Sequence, residues 1–152
     1  MKAVVTGGAG FIGSHLVDAL LKNNIEVTVL DNFSTGRSEN LDHVRDRIEM
    51  LECDLGVVGE WIQNLTNIDW VIHLAARADI VPSIKQPEAY FRANVDGTFN
   101  ILEAAKNAEV KRFIYIASSS CYGIPDKYPT SENAEIRPQY PYALTKRIGE
   151  EL

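Results

Sequence analysis

The stretch VVTGGAGFIGSHL, residues 4–16, places Gly7, Gly10 and Gly13 at a regular spacing of three. The apolar run Lys2–Thr6 before them is typical of a buried strand, and Phe11–Asn23 after them carries apolar residues at helical spacing. A sharp turn from strand to helix favours glycine, which also lets a phosphate approach the backbone closely. The helix N-terminus then offers unpaired N–H groups to an anion. The stretch therefore predicts a phosphate-binding turn.

The rest of the chain continues the alternation of strands and helices. Further strands are predicted at Glu26–Leu30, Ile48–Cys53, Asp69–Leu74 and Arg112–Ala117, helices at Val57–Leu65, Glu88–Ala108 and from Tyr142 onward, and loops at Asn32–Asn40 and Gly123–Pro138. Such alternation indicates an α/β fold with a parallel sheet covered on both faces. We expect one Rossmann-type, doubly wound nucleotide-binding domain over residues 1–152, with strand order 3-2-1-4-5.

Two phosphate-binding motifs compete for the glycine turn. Gly8 and Gly13 have the separation of a mononucleotide P-loop, but Ser14-His15 follows where that motif needs Lys-Ser or Lys-Thr. The dinucleotide motif instead needs an acidic residue at the end of the second strand, about 20 residues beyond the glycines. Asp31 stands there, 18 residues after Gly13. The sequence therefore favours a dinucleotide.

The acidic residue also favours one dinucleotide over the other. The Asp31 carboxylate can accept hydrogen bonds from the adenosine ribose hydroxyls and would repel a 2′-phosphate, so NAD is predicted rather than NADP. Arg37, in the loop that follows, weakens this preference.

The glycine segment TGGAGFIG, residues 6–13, resembles the short-chain dehydrogenase/reductase superfamily and its extended, sugar-nucleotide branch. DNFSTG at 31–36, NVDGT at 94–98 and PYALTK at 141–146 make the chain similar to the N-terminal half of the NAD-dependent epimerase/dehydratase family, most of all to UDP-sugar 4-epimerases. This resemblance implies an NAD cofactor, a UDP-linked nucleotide-sugar substrate and a homodimer.

The resemblance also implies a catalytic group. Tyr142 and Lys146 match the family's tyrosine and lysine, and their spacing of four places both on one helix face. A nearby ammonium favours the tyrosinate and lowers the tyrosine pKa, so that the phenol can act as a general base. Ser118, four residues before Tyr122-Gly123, matches the catalytic serine or threonine, with Ser119 as an alternative.

Other positions match the family's cofactor contacts. The implied cofactor-binding residues are Gly7, Gly10, Phe11, Ile12, Gly13, Asp31, Asn32, Ser34, Thr35, Gly36, Asp54, Leu55, Leu74, Ala75, Ala76, Asn94, Tyr142 and Lys146. Arg77 and Ser83 could face a substrate, but nothing in the sequence assigns them. His15 and His73 are interpreted as structural, and no metal site is expected because neither has a partner at ligand spacing.

In the reaction that the resemblance implies, Tyr142 removes the proton from the sugar 4-hydroxyl and Ser118 hydrogen-bonds the same oxygen while C4 is transiently oxidised. A sugar-nucleotide 4,6-dehydratase or decarboxylase is the alternative. The dehydratases of this family carry acidic groups just after the catalytic serine or threonine, where this chain has Ser119 and Ser120, so epimerisation is favoured. A non-enzymatic NAD-binding sensor or scaffold is a further alternative, which the presence of Ser118, Tyr142 and Lys146 argues against.

The composition of the chain limits which partners and which cellular location are expected. The 152 residues carry a formal charge of −6, which argues against a nucleic-acid or acidic membrane surface. Cys53 and Cys121 form no CxxC pair and predict free thiols, and no apolar run is long enough to cross a bilayer. With no signal peptide recognised, a cytoplasmic protein is predicted. Because the fifth predicted strand would be a bare apolar edge, we expect a truncated chain that lacks a C-terminal sugar-nucleotide-binding part.

Overall fold

The computed structural model describes residues 1–152 and contains one five-stranded parallel sheet. Its strands are β1 (Lys2–Thr6), β2 (Glu26–Asp31), β3 (Ile48–Glu52), β4 (Trp70–His73) and β5 (Arg112–Tyr115). They lie in the order β3-β2-β1-β4-β5, which confirms the predicted Rossmann-type topology. In this arrangement Val4 of β1 stands between Thr28 of β2 and Val71 of β4. The crevice at the carboxyl ends of β1 and β4 is therefore the topological switch point, where open α/β sheets bind ligands.

Helical segments connect the strands. They are α1 (Phe11–Lys22), α2 (Ile80–Lys85), α3 (Pro87–Phe91), α4 (Gly97–Asn107) and α5 (Pro141–Glu151), with a π-helical turn at Arg92–Asp96 and 3₁₀ segments at Ser38–Arg47, Glu60–Leu65 and Ser119–Tyr122. None of these helices has both the length and the apolar character needed to cross a bilayer.

Two hydrophobic clusters fill the two faces of the sheet. Successive residues of β1 alternate between them, because side chains along a strand point to opposite faces. Val5 packs with Val17 of α1 and the 3₁₀ segment's Leu41, whereas Val4 packs with Ile101 of α4 and with Leu65. All six of these side chains are fully buried. The central strand is thereby covered on both sides, as a parallel sheet requires.

Three helical predictions need correction. The loop predicted at Asn32–Asn40 ends at Ser38, where a 3₁₀ helix begins. The buried residues of this helix, Leu41 and Val44, are three residues apart and lie on the same side, because a 3₁₀ helix has three residues per turn. The predicted helix Val57–Leu65 is a 3₁₀ segment that begins at Glu60. The predicted single helix Glu88–Ala108 is divided by the π-helical turn.

The short helix α2 was not predicted at all. Pro82 is the third residue of α2. In the first turn of a helix the backbone N–H has no intrahelical acceptor, so a proline there costs no hydrogen bond.

Candidate dinucleotide and active site

The glycines of the turn serve two purposes. Gly7 has φ +68°, and a Cβ there would lie 2.7 Å from Ala75 N at the end of β4. A Cβ on Gly13 would overlap the Gly7 carbonyl oxygen. These two positions thus need glycine for backbone packing. At Gly10 a Cβ would meet only the Gly7 oxygen, at 3.3 Å, and the space beyond is open.

The first turn of α1 presents unused backbone donors. Its first helical hydrogen bond runs from Ser14 N to Gly10 O at 2.9 Å, so the N–H groups of Phe11, Ile12 and Gly13 have no acceptor in the protein. The Phe11 and Ile12 side chains are 78% and 62% exposed. The predicted contribution of these residues therefore depends on their backbone N–H groups, which suit an anion.

A groove opens beside this turn, across the carboxyl ends of the central strands. Most of the predicted cofactor residues line it, namely Gly7, Gly10, Asp31, Asn32, Ser34, Thr35, Gly36, Asp54, Leu55, Leu74, Ala75 and Ala76. Five further residues line the groove that are not among the predicted cofactor contacts, namely Leu30, Cys53, Gly56, Arg77 and Ala93. Of these, only Arg77 was considered for binding from the sequence, as a residue that could face a substrate. Residues 30 and 53 could have been inferred because each is at or next to the carboxyl end of a strand.

Asp31 is held by the chain that surrounds the groove. Its Oδ2 accepts a hydrogen bond from Ala9 N and its Oδ1 from Phe33 N, each at 2.9 Å. Each carboxylate oxygen has a second acceptor site. Asp31 is 8% exposed, and one acceptor site on each carboxylate oxygen remains available to a further hydrogen-bond donor.

The neighbouring polar groups complete this end of the groove. Asp54 accepts hydrogen bonds from Gly56 N at 2.9 Å and from the Arg92 guanidinium at 3.1 Å. Burial, followed by the charges of Asp31 and Asp54, raises the pKa of the Cys53 thiol to about 11. The thiol is consequently neutral and unreactive at neutral pH.

Asn94, like Tyr142 and Lys146, is not among the residues that line the groove, and its contact with the cofactor stays a prediction. Its side chain is buried within the π-helical turn and bonds the backbone of Arg77 twice: Oδ1 accepts from Arg77 N at 2.8 Å, and Nδ2 donates to Arg77 O at 3.0 Å. Nδ2 also donates to Thr145 Oγ1 of α5 at 3.0 Å. The amide therefore joins the loop after β4 to two helices, and π-helical turns of this kind are frequent at functional sites.

The structure brings Tyr142 and Ser118 together. The Tyr142 hydroxyl donates to Ser118 Oγ at 3.3 Å, and Ser118 Oγ also accepts from Ser120 N at 3.3 Å. The ring of Tyr142 packs edge-on against buried Tyr90, with 6.5 Å between ring centroids. Ser119, the alternative to Ser118, makes no hydrogen bond with the tyrosine.

Lys146 is almost completely buried, at 4% exposure. Its ammonium donates to Ile116 O at 2.6 Å and lies 4.1 Å from the centroid of the Tyr115 ring. Burial lowers the pKa of Lys146 to about 8, although Cys121 and Glu150 act in the opposite direction. The carbonyl and the ring hold the charged side chain at the carboxyl end of β5.

His73 is structural, and its hydrogen bonds define one tautomer. Thr98 Oγ1 donates its only proton to Asn94 O at 2.6 Å. In the 3.0 Å hydrogen bond between His73 Nε2 and Thr98 Oγ1, the histidine nitrogen must therefore be the donor. Nδ1 is then the acceptor for Thr6 Oγ1 at 2.6 Å, and Thr6 accepts from Ala75 N at 3.2 Å. Burial, followed by the Lys146 charge, lowers the pKa of His73 to about 3. The imidazole is therefore neutral and leaves no polar atom unpaired.

Comparison with known proteins places this geometry in a family. The model of the NAD dependent epimerase/dehydratase family matches residues 3–152. The chain belongs to this family. NAD is the family's cofactor, in agreement with the prediction from the glycine turn and Asp31.

Individual members of the epimerase/dehydratase family are similar over half their length. A putative UDP-glucose 4-epimerase of Methanocaldococcus jannaschii is 39% identical over 97% of this chain and 48% of its own length. A UDP-N-acetylglucosamine 4-epimerase from Methanobrevibacter ruminantium, solved with UDP-N-acetylmuramic acid, superimposes with a TM-score of 0.92 at 37% identity, over 99% of this chain and 48% of that one. A dTDP-glucose 4,6-dehydratase from Streptomyces venezuelae, solved with NAD, gives 0.93 at 32% identity, over 99% and 50%. The chain thus spans about half the length of the relatives it matches.

Proposed function

We propose that this chain is the NAD-binding part of a nucleotide-sugar 4-epimerase with a UDP-linked substrate. The observation that carries the proposal is the hydrogen bond between Tyr142 and Ser118, with buried Lys146 one helical turn further along α5. These three side chains come from the end of β5 and from α5, at the sheet edge where ligands of this fold bind.

The groove presents the groups that a dinucleotide requires. The N–H groups of Phe11, Ile12 and Gly13 would bind its diphosphate, and the Asp31 carboxylate would accept hydrogen bonds from its adenosine ribose. The open space at Gly10 leaves room for the diphosphate to approach the backbone. When bound, NAD would supply the transient oxidant for the sugar C4.

The side chains at the end of β5 and on α5 would perform the acid–base catalysis. Tyr142 would take the proton of the sugar 4-hydroxyl as general base, and Ser118 would hydrogen-bond the same oxygen and orient it. Lys146, buried one turn along α5 from Tyr142, would stabilise negative charge on the phenol oxygen during this transfer. The same tyrosine would return the proton when C4 is reduced, so that the net change is inversion at one carbon.

A 4,6-dehydratase or decarboxylase is the alternative reaction. Dehydration requires further acid–base groups near the catalytic serine. The two positions after Ser118 are Ser119 and Ser120, within a 3₁₀ turn, and their hydroxyls do not ionise at neutral pH. This argues for epimerisation over dehydration. A sensor or scaffold without activity would have no need for the tyrosine–serine contact and the buried lysine.

The proposed function also includes where the substrate is bound and how many copies of the chain associate. We expect the sugar nucleotide to be bound largely by a C-terminal part of the protein, and this chain alone to bind NAD with little or no turnover. The resemblance also favours a homodimer, built from α3 and α5 of two copies, because Phe91 and Leu144 leave an apolar groove between these helices exposed.

Calorimetric titration of NAD and NADP into this chain tests the cofactor assignment. Asp31→Ala is expected to weaken NAD binding by about tenfold or more, since hydrogen bonds to a charged acceptor contribute about 1.5–3 kcal/mol. Asp46→Ala, an exposed acid in the 3₁₀ segment Ser38–Arg47, serves as the matched control. Absence of NAD binding by the folded wild-type chain would contradict the assignment.

Tyr142→Phe in a longer protein with epimerase activity would then test the reaction.

A further inference from the structure

Arg77 is a cation that the predicted reaction leaves unused. It is the only lysine or arginine among the residues that line the dinucleotide groove. It also borders the polar cleft that continues the groove past Asn32 and Asp54. Its guanidinium makes no hydrogen bond or salt bridge within the protein, although the side chain is partly buried. A partly buried guanidinium without an acidic partner is a binding group for an anion.

The acidic side chains of the groove form hydrogen bonds and ion pairs with groups other than Arg77. Asp54 forms its ion pair with Arg92 at 3.1 Å. Asp31 accepts from two backbone N–H groups and presents its remaining acceptor sites to a ribose. Arg77 is therefore the one full positive charge that the groove offers to a ligand.

The backbone of Arg77 is fixed at the lining of the groove. Asn94 holds both its N–H and its C=O, at 2.8 and 3.0 Å. Two residues earlier, Ala75 approaches Gly7 so closely that a Cβ on the glycine would lie 2.7 Å from Ala75 N. The glycine turn and the segment that carries Arg77 thus lie side by side along one groove. The α1 N-terminus offers only partial charges to a phosphate, whereas Arg77 offers a full one.

We infer that Arg77, which lines the same groove as the glycine turn, binds the diphosphate of the dinucleotide together with the α1 N-terminus, and that Asn94 is the residue that positions it. This inference rests on the proposed function, because it presupposes that NAD occupies the groove. It assigns Arg77 to the cofactor rather than to the sugar substrate.

Calorimetry of NAD binding to Arg77→Gln is the direct test. The dissociation constant is expected to rise by about tenfold to a hundredfold, the usual contribution of a hydrogen bond to a charged group. Arg47→Gln is the matched control, since it removes an exposed arginine from the opposite edge of the sheet and is expected to leave NAD binding unchanged. Because the Arg77 guanidinium makes no hydrogen bond or salt bridge within the protein, the Arg77→Gln variant should melt close to the wild type.

A second measurement locates the contact. The ³¹P resonances of bound NAD are expected to shift between the wild type and Arg77→Gln, and to coincide between the wild type and Arg47→Gln. If NAD binds Arg77→Gln within about twofold of the wild type, with unchanged ³¹P resonances, the inference is wrong and the proposed function stands. If the wild-type chain itself does not bind NAD, the proposed function fails first.

Discussion

Lys146 is a buried cation supported by one carbonyl oxygen and one aromatic ring. The ammonium lies 2.6 Å from Ile116 O and is 4% exposed. Taking a charge out of water is costly, and a lysine can reduce that cost by releasing its proton. The residue therefore has a measurable property that a surface lysine lacks.

We expect Lys146 to titrate near pH 8. Its folded-state pKa of about 8 is below the ordinary value of a lysine, so between about pH 8 and 10.5 the unfolded chain binds more protons than the folded one. Stability should accordingly rise with pH in that interval. NMR titration of the lysine Cε resonances should show one midpoint near 8 that is missing in Lys146→Met. Its persistence in Lys146→Met, or its loss in the exposed-site control Lys22→Met, would contradict the assignment.

At the scale of elements, one chain of hydrogen bonds joins β1, β4 and α4. His73 of β4 accepts from Thr6 of β1 and donates to Thr98 of α4. Every donor in this chain has one acceptor, so an added proton on Nδ1 would displace the Thr6 hydroxyl. The central strand pair and the helix that covers it therefore depend on a neutral imidazole.

This dependence predicts how stability changes with pH. The folded-state pKa of His73 is about 3, below the ordinary value near 6.5. Between these values the unfolded state binds the proton and the folded state does not, so acidification destabilises the protein by up to about 1.4 kcal/mol per pH unit. His73→Gln is expected to be less stable at pH 7 by about 1–3 kcal/mol, since glutamine cannot satisfy both threonines.

Urea unfolding at pH 7 and pH 5 tests the prediction. The stability difference between the wild type and His73→Gln should shrink at pH 5, because the variant lacks the group that takes up the proton. His43→Gln, which removes an exposed histidine beside Asp18, serves as the control. An equal difference at both pH values would show that the imidazole does not carry the effect.

At the scale of the whole molecule, α5 packs on α2 and α3 and leaves apolar side chains in water. Phe91 is 47% exposed and Leu144 49%, on the two sides of one groove. Exposed apolar patches of this kind mark interaction surfaces.

If two copies pack through this groove, sedimentation analysis should find a dimer. Leu144→Lys is expected to shift the protein to monomer, because a lysine cannot be buried there without losing its hydration. Ile124→Lys, at a 68% exposed position in the loop between β5 and α5, should leave the dimer intact. A wild-type monomer, or a dimer unaffected by Leu144→Lys, would contradict this interface.

The strand order was predictable because it depends on local patterns. Apolar runs, helical spacing and glycine turns each act over a few residues, and the right-handed connection between parallel strands leaves few topologies to choose from.

The short helices could not be predicted from local patterns, because their stability depends on packing against the rest of the fold. The helix α2 is only six residues long, and the 3₁₀ segment Ser38–Arg47 is stabilised chiefly by packing of Leu41 and Val44 against the sheet.

Within the site, the sequence by itself determined the glycine turn, Asp31 and the spacing of Tyr142 and Lys146, because each is a short pattern with one chemical reason. The tertiary structure alone decided that Ser118, rather than Ser119, faces Tyr142 across 24 residues of chain. It also assigned Asn94 to Arg77 and made Arg77 a wall of the groove. These contacts join the ends of different strands and helices, and only the folded sheet brings such ends to one edge.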